Sequence, residues 1–122
     1  MLKKSEEGAI DEISFADWFA TFEEKGEFLC LYFGAHWAPP SRLFTQNLEQ
    51  TFYNLVNAEG LVAEVVFVTH DREQGHFERN FLKMPWLAIP FDDENKKATL
   101  GSQFGVCELP TLVVLTHDGK VV

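Results

Sequence analysis

Cysteine is nearly absent from this chain: Cys30 and Cys107 are the only two among 122 residues. That is too few for a disulfide-built scaffold and is compatible with a reducing compartment, so the expected location is the cytoplasm. Long apolar runs are missing too. The longest extend over about half a dozen residues, against the roughly 20 that cross a bilayer as a helix, so a soluble protein is expected. Basic residues are few, 10 Lys and Arg against 19 Asp and Glu, which leaves a net charge of −9. Such an acid excess repels phosphate backbones and anionic leaflets, and no basic stripe offsets it, so neither nucleic acid nor a membrane is an expected partner. The opening segment has no apolar stretch of signal-peptide length. Residues 1–12 read as a loose leader and 13–122 as a single domain. No repeat, linker or low-complexity tract appears. What the chain does have is hydrophobic mass, 46% of its residues with twelve Phe, which suits a domain with a sizeable core.

The order of elements follows from periodicity and punctuation. Ser14-Phe15-Ala16-Asp17 has capping-box spacing, and Phe15, Trp18, Phe19 and Phe22 recur at helical intervals, which predicts a helix from Phe15 to Glu24. Phe28 to Phe33 is continuously apolar and ends at Gly34, as a strand covered on both faces would. Ala35 to Pro40 read as a loop, with helix beginning only after the two prolines. Phe44, Leu48, Phe52, Leu55 and Val56 place that helix over Ser41 to Asn57, with Gly60 beyond its end. Val62 to Thr69 is a second apolar strand, closed by His70-Asp71-Arg72-Glu73. Phe77, Phe81 and Leu82 give a weak helical face that Pro85 ends. Trp86 to Phe91, bracketed by prolines, reads as a packed connection or a short edge strand. Asp92 or Asp93 caps a helix through Leu100 and Phe104, with Lys96 and Lys97 on its wet face and Gly105 at its end. Thr111 to Thr116 is a third strand, and Asp118-Gly119 signals a hairpin into Lys120-Val121-Val122. Long crossovers predict parallel pairing of the three strands, with the hairpin adding an antiparallel one. The fold class expected is a mixed α/β sandwich.

The loop before the long helix reads Gly34-Ala35-His36-Trp37-Ala38-Pro39-Pro40-Ser41-Arg42. These residues resemble the thioredoxin fold and, within it, the tryparedoxin and nucleoredoxin branch, whose hallmark at this point is Trp-Cys-Pro-Pro-Cys-Arg. The resemblance runs from Phe28 to Val122. It includes Trp86 to Phe91 after Met84-Pro85, the approach Phe104-Gly105-Val106, and Leu109-Pro110-Thr111, which looks like the superfamily's cis-proline motif. It implies a mixed central sheet flanked by helices, cut short here before the final strand and helix are complete. It also implies disulfide exchange with proteins, with a peroxidase among the partners of tryparedoxins, and no cofactor.

Against that pattern, Ala38 and Ser41 stand where the family has its attacking and resolving cysteines. A thiol at a helix N-terminus is favoured as thiolate, and only thiolate attacks a disulfide sulfur. Ala38 offers no nucleophile, and the Ser41 hydroxyl does not ionise near neutral pH. Dithiol exchange is excluded as the sequence stands, through either deliberate replacement in an active enzyme or natural loss in a relative kept for binding. The remaining candidate residues have two readings each. Trp37 flanks substrate in the resembling family or caps the loop. Pro39 and Pro40 stiffen the turn, and Arg42, placed against the helix dipole, reads as a surface residue near the site. Ser41 reads as a helix-terminal hydroxyl, with no neighbouring Asp or His to make a triad. By resemblance, Leu109 before Pro110 exposes backbone N–H and C=O groups to an extended partner segment, a form of strand addition; the plain alternative is a packing turn. Cys107 is a thiol near that loop, whereas Cys30 reads as core. His36, His70, His76 and His117 are too scattered for metal ligands. Glu64 falls inside an apolar strand, where a charge is costly unless it faces a polar channel below the site; strand alternation equally leaves it exposed, which is the reading preferred.

Overall fold

The computed structural model describes residues 1–4, 10–13, 28–35, 39–58, 63–116 and 121. The predicted helix over 15–24, Trp37 and the Asp118-Gly119 turn lie outside these. Strands β1 (Leu2–Lys4), β2 (Ile10–Glu12), β3 (Phe28–Gly34), β4 (Ala63–Thr69), β5 (Leu87–Ala88) and β6 (Thr111–Thr116) form one sheet in the order β2-β1-β5-β4-β3-β6. Helix α1 (Pro39–Leu48) runs on through a π-helical stretch, Glu49–Tyr53, and a last α-turn, Asn54–Val56. Helices α2 (Gln74–Phe81) and α3 (Glu94–Gln103) complete the described elements.

The centre of the sheet is buried on both faces because β3 and β4 are apolar at nearly every position, with Glu64 and Thr69 of β4 the polar exceptions. Cys30, Tyr32, Val65 and Phe67 point to one side, where Leu48 of α1 and Phe77 and Phe81 of α2 cover them. Leu31, Phe33, Val66 and Val68 point to the other, against Leu100 and Phe104 near α3. The Phe77 ring stacks on Phe67, Phe81 and Phe91 at centroid distances of 6.2, 5.8 and 5.9 Å. Asn57 fastens the end of the long helix to the start of β4: its Nδ2 donates to the Ala63 carbonyl at 2.8 Å, and the Ala63 N–H donates to its Oδ1 at 3.0 Å.

Several expectations are corrected. Within the leader expected over residues 1–12, Leu2–Lys4 and Ile10–Glu12 are strands rather than loose chain, because β1 pairs antiparallel with β2 and, through Leu2 and Ala88, with β5. That pairing also makes β5 an interior strand rather than an edge. Helix α1 starts on Pro39 and not after Pro40: the N–H groups of a first helical turn have no intrahelical partner, so proline there forfeits nothing. Ser41 is consequently inside the first turn instead of capping it.

Parallel pairing joins β3 to β4 and β4 to β5. The third long strand, β6, is antiparallel to β3, with Thr111 opposite Phe33 and Thr116 opposite Phe28. The connection through α3 therefore brings the chain back to the end of the sheet it had left. Val121 bridges antiparallel to Leu115, as a returning strand does. Lys97 is buried rather than wet: its Nζ lies 4.6 Å from the centre of the Phe91 ring and 3.0 Å from Glu94 Oε1. Glu64 is 8% exposed, not solvent-facing.

Candidate functional site

The carboxyl end of β3 organises the site. Gly34 is paired with Thr69 of β4 on one side, while Thr111 of β6 faces Phe33 on the other. Because β6 runs against β3, the residues just before Thr111 lie where Gly34 and Ala35 leave the sheet towards α1. Two sequence-distant segments thus belong to the same end of the sheet: the first turn of α1, with Pro39, Pro40, Ser41 and Arg42, which follows the exit of β3, and the Leu109-Pro110 turn, which precedes β6. Pro40 is exposed, and Leu109 and Pro110 are half-buried. Trp37 and Ala38 lie outside the described residues, as do the side chains of Pro39, Ser41 and Arg42.

The Leu109–Pro110 peptide bond is cis. Thr111 fastens the turn by donating its Oγ1 to the Glu108 carbonyl at 2.6 Å, and Leu109 packs its side chain towards the Phe33 side of the core. Among the described residues, the N–H and C=O of Leu109 enter no turn, loop or cap hydrogen bond. A backbone donor and acceptor at the end of a sheet, free of local bonds, are what an extended segment needs in order to pair.

The cysteines sit in contrasting places. Cys107 is exposed two residues before Leu109. Cys30 is buried within β3, and burial, reinforced by the nearby Glu64 carboxylate, pushes its thiol up to about 11, which keeps it a core residue.

A second group, missed from the sequence, occupies the same end of the sheet. The His70 N–H donates to the Gly34 carbonyl at 2.9 Å, tying the loop after β4 to the exit of β3. Partial burial, and then the Lys97 ammonium, hold the His70 imidazole below its ordinary value. Asp71 is fixed by an exchange with Thr69, whose Oγ1 donates to Asp71 Oδ2 at 2.8 Å and accepts from the Asp71 N–H at 2.9 Å. The sequence signal was a lysine at the fourth place of an acid-capped helix that follows Phe91, which reads as a wet face until the ring contact is seen. Beneath the site, the Tyr32 hydroxyl shares a 2.6 Å hydrogen bond with Thr45 of α1 and holds that helix to β3.

Residues 26–121 match the thioredoxin-like family. The chain belongs to that family. Nucleoredoxin of Bos taurus is 38% identical over 98 residues, covering 80% of this chain and 22% of the relative. Probable nucleoredoxin 1 of Arabidopsis thaliana is 38% identical over 97 residues, covering 80% of this chain and 16% of the relative. The chain thus spans about a fifth of the length of such curated relatives. Among solved structures, tryparedoxin II from C. fasciculata superposes with a TM-score of 0.80 at 32% identity, covering 99% of this chain and 74% of the other. Tryparedoxin from Trypanosoma brucei gives a TM-score of 0.77 at 31% identity, covering 99% and 76%. These similarities place the thioredoxin-like chain in the nucleoredoxin and tryparedoxin branch, on a scaffold of the oxidoreductase family. Among the described residues no helix is long and apolar enough to cross a membrane.

Proposed function

We propose that this chain is a thioredoxin-fold protein-binding module whose dithiol position is redox-inactive as its sequence stands. With Ala38 and Ser41 at the two cysteine positions of the branch, the site has neither attacking nor resolving thiol. Cys30 is sealed in the core, and Cys107 alone supplies no pair. The observation that carries the binding reading is the Leu109 backbone, which among the described residues enters no turn, loop or cap hydrogen bond and leads into edge strand β6 at the end of the sheet where β3 exits. Its partner is a protein offering an extended segment, with Trp37, Pro39, Pro40 and Arg42 flanking the contact. A structural neighbour, tryparedoxin II, is recorded in complex with glutathionylspermidine, which supports ligand binding by a scaffold of this shape. The compartment that fits two free thiols is the cytoplasm.

Insulin disulfide reduction separates the scaffold from its present chemistry. The unaltered chain is expected to give no turnover above the dithiothreitol background, and the double variant Ala38→Cys, Ser41→Cys to restore it. Turnover by the unaltered chain overturns the redox-inactive reading. In parallel, titration of the 15N-labelled chain with a blocked pentapeptide, acetyl-Ala-Ala-Leu-Ala-Ala-amide, is expected to shift the amide resonances of Leu109 and Thr111. A spectrum in which both stay fixed overturns the binding reading.

A further inference from the structure

The C-terminal end of the long helix is tied to the start of β4 twice. One tie is the clasp between Asn57 and Ala63, built from groups that do not titrate near neutrality. The other runs through Glu64, the second residue of β4, where the strand enters the sheet. Its Oε1 accepts from the Val65 N–H at 3.0 Å and from the Tyr53 hydroxyl at 3.5 Å. Tyr53 closes the π-helical stretch, and its ring meets the buried Trp86 edge-on at 5.4 Å.

A carboxyl in this seat is stable only while it holds its proton. Burying a carboxylate is costly unless a cation and good hydrogen bonds compensate it. Here the helix presents Tyr53 and β3 presents Cys30, both acids whose own ionisation the Glu64 charge opposes. Among the described residues no Lys, Arg or His makes an ion pair with it. One of its two hydrogen bonds is of ordinary length and the other is long. Glu64 still keeps 8% of its surface exposed, so its flexible side chain has a path to water.

We propose that Glu64 is a proton-operated latch between the end of the long helix and β4. Neutral, it stays seated against Val65 and Tyr53. Ionised, it turns out to water and releases the Val65 N–H and the Tyr53 hydroxyl, while the Asn57 clasp holds the two elements in register so that the change reverses. Burial, which lifts this carboxyl to about 7, puts the change near neutrality rather than in acid. The latch sits at the opposite end of the sheet from the exit of β3, since Glu64 pairs with Leu29 and Thr69 with Gly34. It therefore does not rest on the Leu109 reading.

Amide exchange at about pH 5.5 and about pH 8.5, corrected for the intrinsic rate at each, tests it. In the unaltered chain the protection of Val65 is expected to fall at least tenfold more between the two than that of Tyr32 and Phe67, which lie in the middle of the β3–β4 ladder. In Glu64→Gln it is expected to change no more than theirs. A second measurement needs no variant: the side-chain carboxyl 13C signal of Glu64 and the ring signals of Tyr53 are expected to titrate with one midpoint. Protection of Val65 that falls only in step with Tyr32 and Phe67 reports global unfolding and overturns the latch. An equal extra loss in Glu64→Gln overturns it as well. So does ionisation of Glu64 that leaves the Tyr53 ring signals unmoved or raises the protection of Val65, since the carboxylate has then stayed in its seat.

Discussion

Replacing Glu64 by Gln removes a buried charge while keeping the shape of the side chain and its acceptor oxygen. In β4 the carboxylate is 8% exposed; it accepts from the Val65 N–H at 3.0 Å and, at the long distance of 3.5 Å, from the Tyr53 hydroxyl. Burial outweighs these two donors and lifts its carboxyl from the ordinary 4.5 to about 7. The folded chain therefore holds this proton more tightly than the unfolded chain. Its contribution to stability is fully present below about pH 4.5 and is lost as the pH climbs through about 7. At about 1.4 kcal/mol for each tenfold change in proton affinity, the loss is on the order of 3 kcal/mol. Urea unfolding of the unaltered chain and of Glu64→Gln at several pH values isolates this one group, because all others cancel in the difference. The two proteins are expected to match near pH 4, and the variant to be more stable by roughly 3 kcal/mol near pH 8. A difference that is constant with pH, or that shrinks as the pH rises, refutes the argument.

Gly34→Ala places a Cβ 2.8 Å from the Tyr32 hydroxyl oxygen and 2.9 Å from its Cζ. Tyr32 is fully buried and held by Thr45 and by the rings of Phe44, Phe67 and Trp86, so it cannot yield. A loss of about 1–3 kcal/mol is expected from urea unfolding, and unchanged stability contradicts the close approach. Lys97→Met removes the cation that helps depress His70. The His70 titration, followed by NMR, is expected to move up towards its ordinary value without reaching it, since burial is the larger cause. An unmoved titration rules out that coupling.

The central strands were legible because their residues answer to one demand. A strand covered on both faces has no polar side, and Phe28–Gly34 and Ala63–Thr69 are nearly continuous apolar runs closed by a glycine and by His70-Asp71. Helix α3 was legible from its ends: the Asp93 side chain accepts from the Lys96 N–H at 3.2 Å, and Gly105 follows the helix with a φ of 63°. Strands β1 and β2 were not, because Leu-Lys-Lys and Ile-Asp-Glu carry too little apolar character to announce a strand. Only their mutual register, Leu2 against Glu12 and Lys4 against Ile10, makes them one.

The direction of β6 shows why the site was harder to read than its parts. Leu109-Pro110 was picked out by motif, yet three strands read as parallel would start β6 at the opposite end of the sheet from the exit of β3. The order of elements does not say at which end a crossover delivers the chain. The pairing of Thr111 with Phe33 says so, and it sets the Leu109-Pro110 turn at the end of the sheet where β3 exits. Side chains were misread for the same reason. Lys97 and Asn80 are polar residues on helices, and helical periodicity gave one the wet face and singled out neither. Each is buried because of an aromatic residue elsewhere in the chain or a neighbouring helix wall: Phe91 beneath the Lys97 amine, and α1 across a groove from Asn80. A polar side chain three residues after Phe77 and one before Phe81 was the available sign, since position 80 falls on the buried face of α2 with those two rings.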